Sequence, residues 1–131
     1  MACAKHFPGH GDTDVDSHKD LPVILHDMAR LDSIELYPFR MLAKKGVQSV
    51  MVAHLQIPAL DSSEHVPITL SKPAVTGLLQ EQLGFKGLIF TDALNMKGVT
   101  KHFEDGETDL LAFLAGNDIL LVTQDLSLIH I

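Results

Sequence analysis

Asp16 and His18 stand two residues apart in the stretch KHFPGHGDTDVDSHKD, residues 5–20. In an extended segment such positions project to the same side. A carboxylate beside an imidazole fixes its tautomer and stabilises its protonated form. That pairing suits a histidine that donates a proton near neutral pH and takes one back later. A second carboxylate, Asp92, follows the apolar run GLIFT at the C-terminal end of a strand, with a cap on the turn after that strand as the alternative.

The same stretch holds three histidines and four aspartates in sixteen residues, with Pro8, Gly9 and Gly11 among them. Two other readings compete with acid/base chemistry. Asp, Gly, His and Ser are common turn residues, so a solvated loop is the plain alternative. Asp12, Asp14 and Asp16 alternate like calcium ligands, but Ser17 stands where such a loop needs glycine, and Val23 where it needs a bidentate glutamate. His6, His10 and His18 offer imidazoles without a spacing tied to a metal mechanism. The expectation is no metal and no cofactor.

Strands and helices must bring these groups together. The pattern predicts strands at about residues 2–6, 48–54, 87–91 and 118–122. It predicts helices over Leu31–Lys45 with a break near Tyr37 before Pro38, over Ser71–Leu83 with Pro73 in its first turn, and over Thr108–Ala115. Gly46, Gly84 and Gly116 follow these helices as stop signals. IPALDSSEHVPITLS reads as a loop and residues 97–107 as a polar linker. The strands are apolar on both faces, as parallel strands between helices are. Alternation of this kind implies right-handed βαβ units and an α/β fold. The polar groups then fall at C-terminal strand ends: the opening loop after the first, His54 after the second, Asp92 after the third. Active sites of α/β folds sit there. Sequence alone leaves an open sheet and part of a barrel equally possible.

Composition removes some partners. At 131 residues the chain is about one domain, 46% hydrophobic, with a formal net charge of −7. Nucleic acid is not an expected partner, because binding phosphate needs clustered Lys and Arg. No apolar run approaches the roughly 18 residues of a membrane span. Cys3 is the single cysteine, so no internal disulfide is possible and the compartment stays open.

KHFPGHGDTDVDSHKDLP followed by FTDALNMKGV resembles glycoside hydrolase family 3, in its bacterial β-N-acetylglucosaminidase branch. VMVAHL, GLLQEQLGFKG and AGNDILL also resemble family segments. The resemblance implies parallel β/α units forming the C-terminal half of a TIM-type (β/α)8 barrel, over residues 1–125. It implies a missing N-terminal half, and a non-native tail at residues 126–131. Asp92 then matches the nucleophile, His18 the general acid/base and Asp16 its partner. Lys5 and His6 match groups that hydrogen-bond sugar hydroxyls. His54 is a further candidate for substrate contact, with a structural histidine the alternative, and Met96 for the pocket wall, with packing the alternative. The implied substrate is a small saccharide with terminal β-linked N-acetylglucosamine, from cell-wall or chitin-type material, in bacterial cytoplasm or envelope. A β-glucosidase, a glycoside phosphorylase and a non-catalytic carbohydrate-binding remnant stay open beside it. The opening loop is expected to close on bound sugar.

Overall fold

A computed structural model of the chain describes residues 1–13, 20–104 and 106–122. Three strands form a parallel sheet in the order β1 (Cys3–Phe7), β2 (Ser49–Val52), β3 (Leu88–Thr91). Ser49 to Val52 pair in unbroken register with Leu88 to Thr91. On the other side Cys3 and Ala4 pair with Ser49 and Val50, then the register shifts so that Phe7 meets Val52. Phe7, Val52 and Thr91 therefore end the strands at one level. Val50, Val52, Ile89 and Thr91, on one face of the sheet, are buried, whereas Met51 and Phe90 on the other face are half-buried and Leu88 is exposed, so the expected cover on both faces is complete on one only.

The fourth predicted strand is only partly realised. Residues 118–122 run parallel beside β3, but the ladder is reduced to one bridge, Phe90 to Ile119. Side chains take over the missing backbone partners: Asp118 Oδ2 accepts from the Ile89 N–H at 2.8 Å, and Thr91 Oγ1 from the Leu121 N–H at 2.9 Å. A hydrophobicity pattern reads apolar residues and is blind to such substitution.

The predicted helix over Leu31–Lys45 is two helices, α1 (Met28–Ser33) and α2 (Leu36–Lys44). The break falls at Ile34–Glu35, earlier than Tyr37. Pro38 lies in the first turn of α2, where its missing N–H is no loss. Its ring excludes a helical carbonyl four residues back, at Ile34, and the chain breaks there. Asp27 caps α1 by accepting the Arg30 N–H at 2.8 Å, four residues ahead of Leu31, where the predicted helix begins.

The next helix, α3 (Pro73–Gln82), is of π type, with the Leu83 N–H reaching the Leu78 carbonyl five residues back. Ser71 works as the predicted cap, its Oγ accepting from the Ala74 N–H at 3.3 Å and donating to Asp61 Oδ2 at 2.6 Å. A 3-10 turn at Ile68–Leu70 and a one-turn helix α4 (Lys97–Thr100) lie in segments expected to be irregular. The last helix, α5 (Glu107–Ala115), ends on Gly116 at φ 108°. Two α3 side chains close that end: Thr76 Oγ1 donates to the Ala115 carbonyl at 2.8 Å, and Gln80 Nε2 to the Gly116 carbonyl at 3.1 Å.

The main core lies where α1, α2 and α3 meet the sheet, with Phe7, Leu31, Leu36, Val52, Leu79 and Ile89 almost wholly buried. Phe7 stands edge-on to Phe39 at 5.2 Å between ring centres. Two glycines should respond to alanine in opposite directions. A Cβ at Gly87 would collide with the Gln48 carbonyl and lie 2.6 Å from Phe85 Cζ, at the start of β3. Gly77, inside α3, has nothing within 4 Å of that position. Urea unfolding should find Gly87→Ala less stable by about 1–3 kcal/mol and Gly77→Ala more stable by roughly 0.5–1 kcal/mol. A neutral Gly87→Ala would mean that β3 does not run this close to residue 48.

Candidate functional site

Asp92 is the first residue past β3. Its N–H continues the ladder to the Val52 carbonyl at 3.0 Å. One carboxylate oxygen, Oδ1, accepts the next N–H, that of Ala93, at 2.8 Å. The other, Oδ2, faces His6 Nε2 at 3.8 Å, beyond hydrogen-bond reach. The side chain is 23% exposed, and among the described residues Oδ2 accepts no hydrogen bond. Among those residues the carboxylate is thus oriented through one oxygen and unengaged at the other.

His6 comes from β1, one strand further than the neighbour of β3, and Lys5 beside it is exposed. Partial burial lowers the pKa of His6, with Lys5 and His10 adding to the effect and the Asp92 charge opposing it. His6 and His10 stand ring edge to ring face, 6.1 Å apart. His10 Nδ1 and the His10 carbonyl both lie near Thr13 Oγ1, at 3.1 and 3.3 Å, holding the glycine-rich turn. The peptide bonds Lys5–His6 and Phe7–Pro8 are cis.

His54 is placed differently. It is 1% exposed. Its Nε2 lies 2.9 Å from the Ala93 carbonyl and its Nδ1 2.9 Å from Thr69 Oγ1. Both ring nitrogens are engaged by protein, so this geometry matches the hydrogen-bonded structural alternative and offers no atom to a sugar. Burial drives the His54 pKa below its ordinary value, against the Ala93 bond and the Asp92 charge, which favour the cation. Thr69 in turn reaches the Ala53 carbonyl at 2.7 Å, and Asn117 Nδ2 donates to the Thr69 carbonyl at 2.9 Å and to Ala112 at 2.7 Å. Neither Thr69 nor Asn117 carried a signal in the sequence: one sits in an apparent loop, the other just past a helix stop. Met96 is 7% exposed at the start of α4, where its N–H meets the Ala93 carbonyl at 3.1 Å.

Asp16 and His18 lie outside the described residues. The segments on either side of them are anchored. Before them, Asp12 Oδ2 accepts from His26 Nε2 at 2.6 Å and from Arg30 at 3.3 Å. The hydrogen bond from His26, its charge and that of Arg30 hold the Asp12 carboxyl below its usual range. After them, Asp20 pairs with Lys101 at 3.2 Å, and the Ile24 N–H meets the Gln56 carbonyl at 2.9 Å. Among the described residues, Asp12, His26 and Glu35 are the one cluster with metal-ligand types within reach of one another. Arg30 already bonds both of its carboxylates, with Glu35 at 3.1 Å, so the cluster contains its own cation.

A family profile described as the glycosyl hydrolase family 3 N terminal domain matches residues 1–130. The chain is 40% identical over 132 residues to beta-hexosaminidase A of Pseudoalteromonas piscicida, covering 93% of this chain and 22% of that protein. It is 38% identical over 121 residues to a beta-hexosaminidase of Neisseria meningitidis serogroup B, covering 92% and 33%. Among solved structures, a glycoside hydrolase family 3 beta-N-acetylglucosaminidase from Paenibacillus sp. superposes with a TM-score of 0.88 at 45% identity, over 92% of this chain and 23% of that one. NagZ from Neisseria gonorrhoeae, in complex with N-trifluoroacetyl-D-glucosamine, gives 0.80 at 37% identity, over 98% and 36%. The chain thus spans between about a fifth and a third of these curated relatives.

The buried histidine has a consequence for stability. Unfolded, His54 takes a proton near its ordinary value of 6.5; folded, it does so only at lower pH. Below about pH 6.5 the unfolded state binds more protons, so stability must fall as pH falls, until the folded value is passed. The slope is at most about 1.4 kcal/mol per pH unit for one such group. Urea unfolding between about pH 7.5 and 5.5 should show this loss, and His54→Gln should flatten it. An equal slope in both proteins would mean that folded His54 titrates normally.

Proposed function

Because this chain belongs to glycosyl hydrolase family 3, we propose that it carries the nucleophile and proton-transfer half of a retaining β-N-acetylglucosaminidase. Its β/α units are read as the C-terminal half of a TIM-like barrel, the rest of the sugar site coming from elsewhere in such a barrel. The observation behind the reading is the Asp92 carboxylate, at the C-terminal end of β3, tied through Oδ1 and, among the described residues, unengaged at Oδ2 opposite His6. The named activities of the relatives point to the sugar.

The chemistry runs in two displacements. Asp92 Oδ2 attacks the anomeric carbon. The bond from that carbon to the leaving oxygen breaks, and its electron pair takes a proton from the His18 imidazolium. A glycosyl ester on Asp92 and a neutral imidazole result. Water then attacks the same carbon, gives its proton to His18 and restores the carboxylate, with net retention. Asp16 stabilises the imidazolium before the first transfer and again after the second. His6 and Lys5 donate to sugar hydroxyls, His6 from 3.8 Å beyond the nucleophilic oxygen. Met96, just past the Asp92 turn, forms apolar wall.

The test uses the full reading frame that carries this chain, with aryl β-N-acetylglucosaminides and β-glucosides. Turnover of the first, with a β-configured first product, is expected. Asp92→Ala should lose about 10⁴-fold or more with every leaving group. His18→Ala should lose about 10²–10⁴-fold with sugar leaving groups, much less with nitrophenolate, and azide should restore turnover as the β-glycosyl azide. An α-configured product, or a His18→Ala loss under about tenfold with sugar leaving groups, would sink the mechanism. Faster cleavage of the β-glucoside would overturn the choice of sugar.

A further inference from the structure

We propose that His54 is a positioning residue for the nucleophile: its Nε2–H holds the Ala93 carbonyl, and residue 93 in turn holds Asp92 Oδ1. This rests on the reading of Asp92 as nucleophile.

The proton count supports the direction of the bond. The Ala93 carbonyl only accepts, so Nε2 carries the hydrogen whether the ring is neutral or charged. In the neutral ring that burial favours, Nδ1 is an acceptor, and Thr69 has one hydroxyl hydrogen for Nδ1 at 2.9 Å and the Ala53 carbonyl at 2.7 Å. Ring orientation is therefore set from β2, from the 3-10 turn and, through Asn117, from the end of α5.

The Ala93 carbonyl has two donors, and they differ in kind. The Met96 N–H, at 3.1 Å, belongs to the same turn and can move with it. The His54 bond spans 39 residues and ties that turn to the neighbouring strand. Without it, among the described residues, the turn keeps the Asp92 N–H to Val52 on the β2 side and, on the far side, the Leu94 N–H to the Leu121 carbonyl at 3.0 Å. Rotation of residue 93 would swing the N–H that orients Oδ1, and Oδ2 would leave its line to the sugar. Displacement of a reacting group by about 1 Å costs on the order of 10²-fold in rate. His54 touches no substrate in this scheme. It acts wholly through residue 93.

The experiment compares wild type, His54→Leu, His54→Gln and His54→Asn in the full reading frame. Leucine fills similar space without a donor. The Ala93 carbonyl keeps the Met96 N–H, so it is not left unpaired by the change. His54→Leu should lower kcat by about 10²-fold, with the inhibition constant of N-acetylglucosamine moving less than about threefold. Glutamine, which can place a donor near the Nε2 position, should recover roughly tenfold or more of kcat, and the shorter asparagine should not. Should the leucine variant fail to fold, the glutamine–asparagine difference decides alone. Hydrogen exchange gives a readout independent of turnover: in the variants without a donor at that position the Ala93 amide should exchange at least about tenfold faster, with Val50 and Val52 unchanged. A wild type inactive on the glycosides would refute the enzymatic reading, while exchange would still report on the tether. A kcat within about threefold of wild type in His54→Leu, no advantage of glutamine over asparagine, or an unaltered Ala93 amide would overturn the proposal.

Discussion

The level at which the three strands end governs the arrangement of this molecule. Val52 pairs with Phe7 on one side and Thr91 on the other. The next ladder bonds, Ala53 N–H to the Phe7 carbonyl and Asp92 N–H to the Val52 carbonyl, carry that register one residue past the strands. Ala53 is therefore level with Asp92 and His54 with Ala93, and His6 lies 3.8 Å from the carboxylate although one strand stands between. A shift of one residue would turn Asp92 to the opposite face. Burial of one face opposes it, because Val50, Val52 and Ile89 share that face and a slipped strand would turn its buried residues to the more open side.

Polar groups at these strand ends are costly to bury, and most have hydrogen-bond partners, Asn117 Oδ1 being an exception among the described residues. His54, Thr69 and Asn117 form a connected set whose backbone acceptors lie on β2, the turn after β3, the 3-10 turn and α5. Burial withholds charge from His54, and the Ala93 carbonyl, which only accepts, keeps the ring hydrogen on Nε2. Asp92 remains the half-buried member, with one oxygen tied to the Ala93 N–H. Structural polar groups and the proposed nucleophile share one small set of hydrogen bonds.

The ion pairs flanking residues 14–19 have a different character. Asp12, His26 and Arg30 meet at the surface, and so do Asp20 and Lys101. Exposed pairs of this kind contribute little to stability and are screened by salt. Their value lies in placement: one joins the start of the segment to α1, the other joins its end to α4, just beyond the Asp92 turn. Lys101 in this way links the segment bearing Asp16 and His18 to the element that follows the proposed nucleophile.

The sequence by itself determined the α/β class, three of the strands to within a residue or two, and the C-terminal strand ends as the place where polar groups gather. Those follow from local rules, since apolar runs of strand length and caps such as Asp27 and Ser71 act over a few residues. The motif KHFPGHGDTDVDSH with FTDAL also pointed to the family that the profile match shows. Tertiary structure decided what depends on distant partners. Asp118 and Thr91 replaced ladder bonds in the fourth strand, Pro38 acted through Ile34 to divide a helix, and His54 met Ala93 across 39 residues. No periodicity encodes a hydrogen bond between a strand end and a turn that far along the chain. It exists only once the register of β2 against β3 has brought the two to the same height.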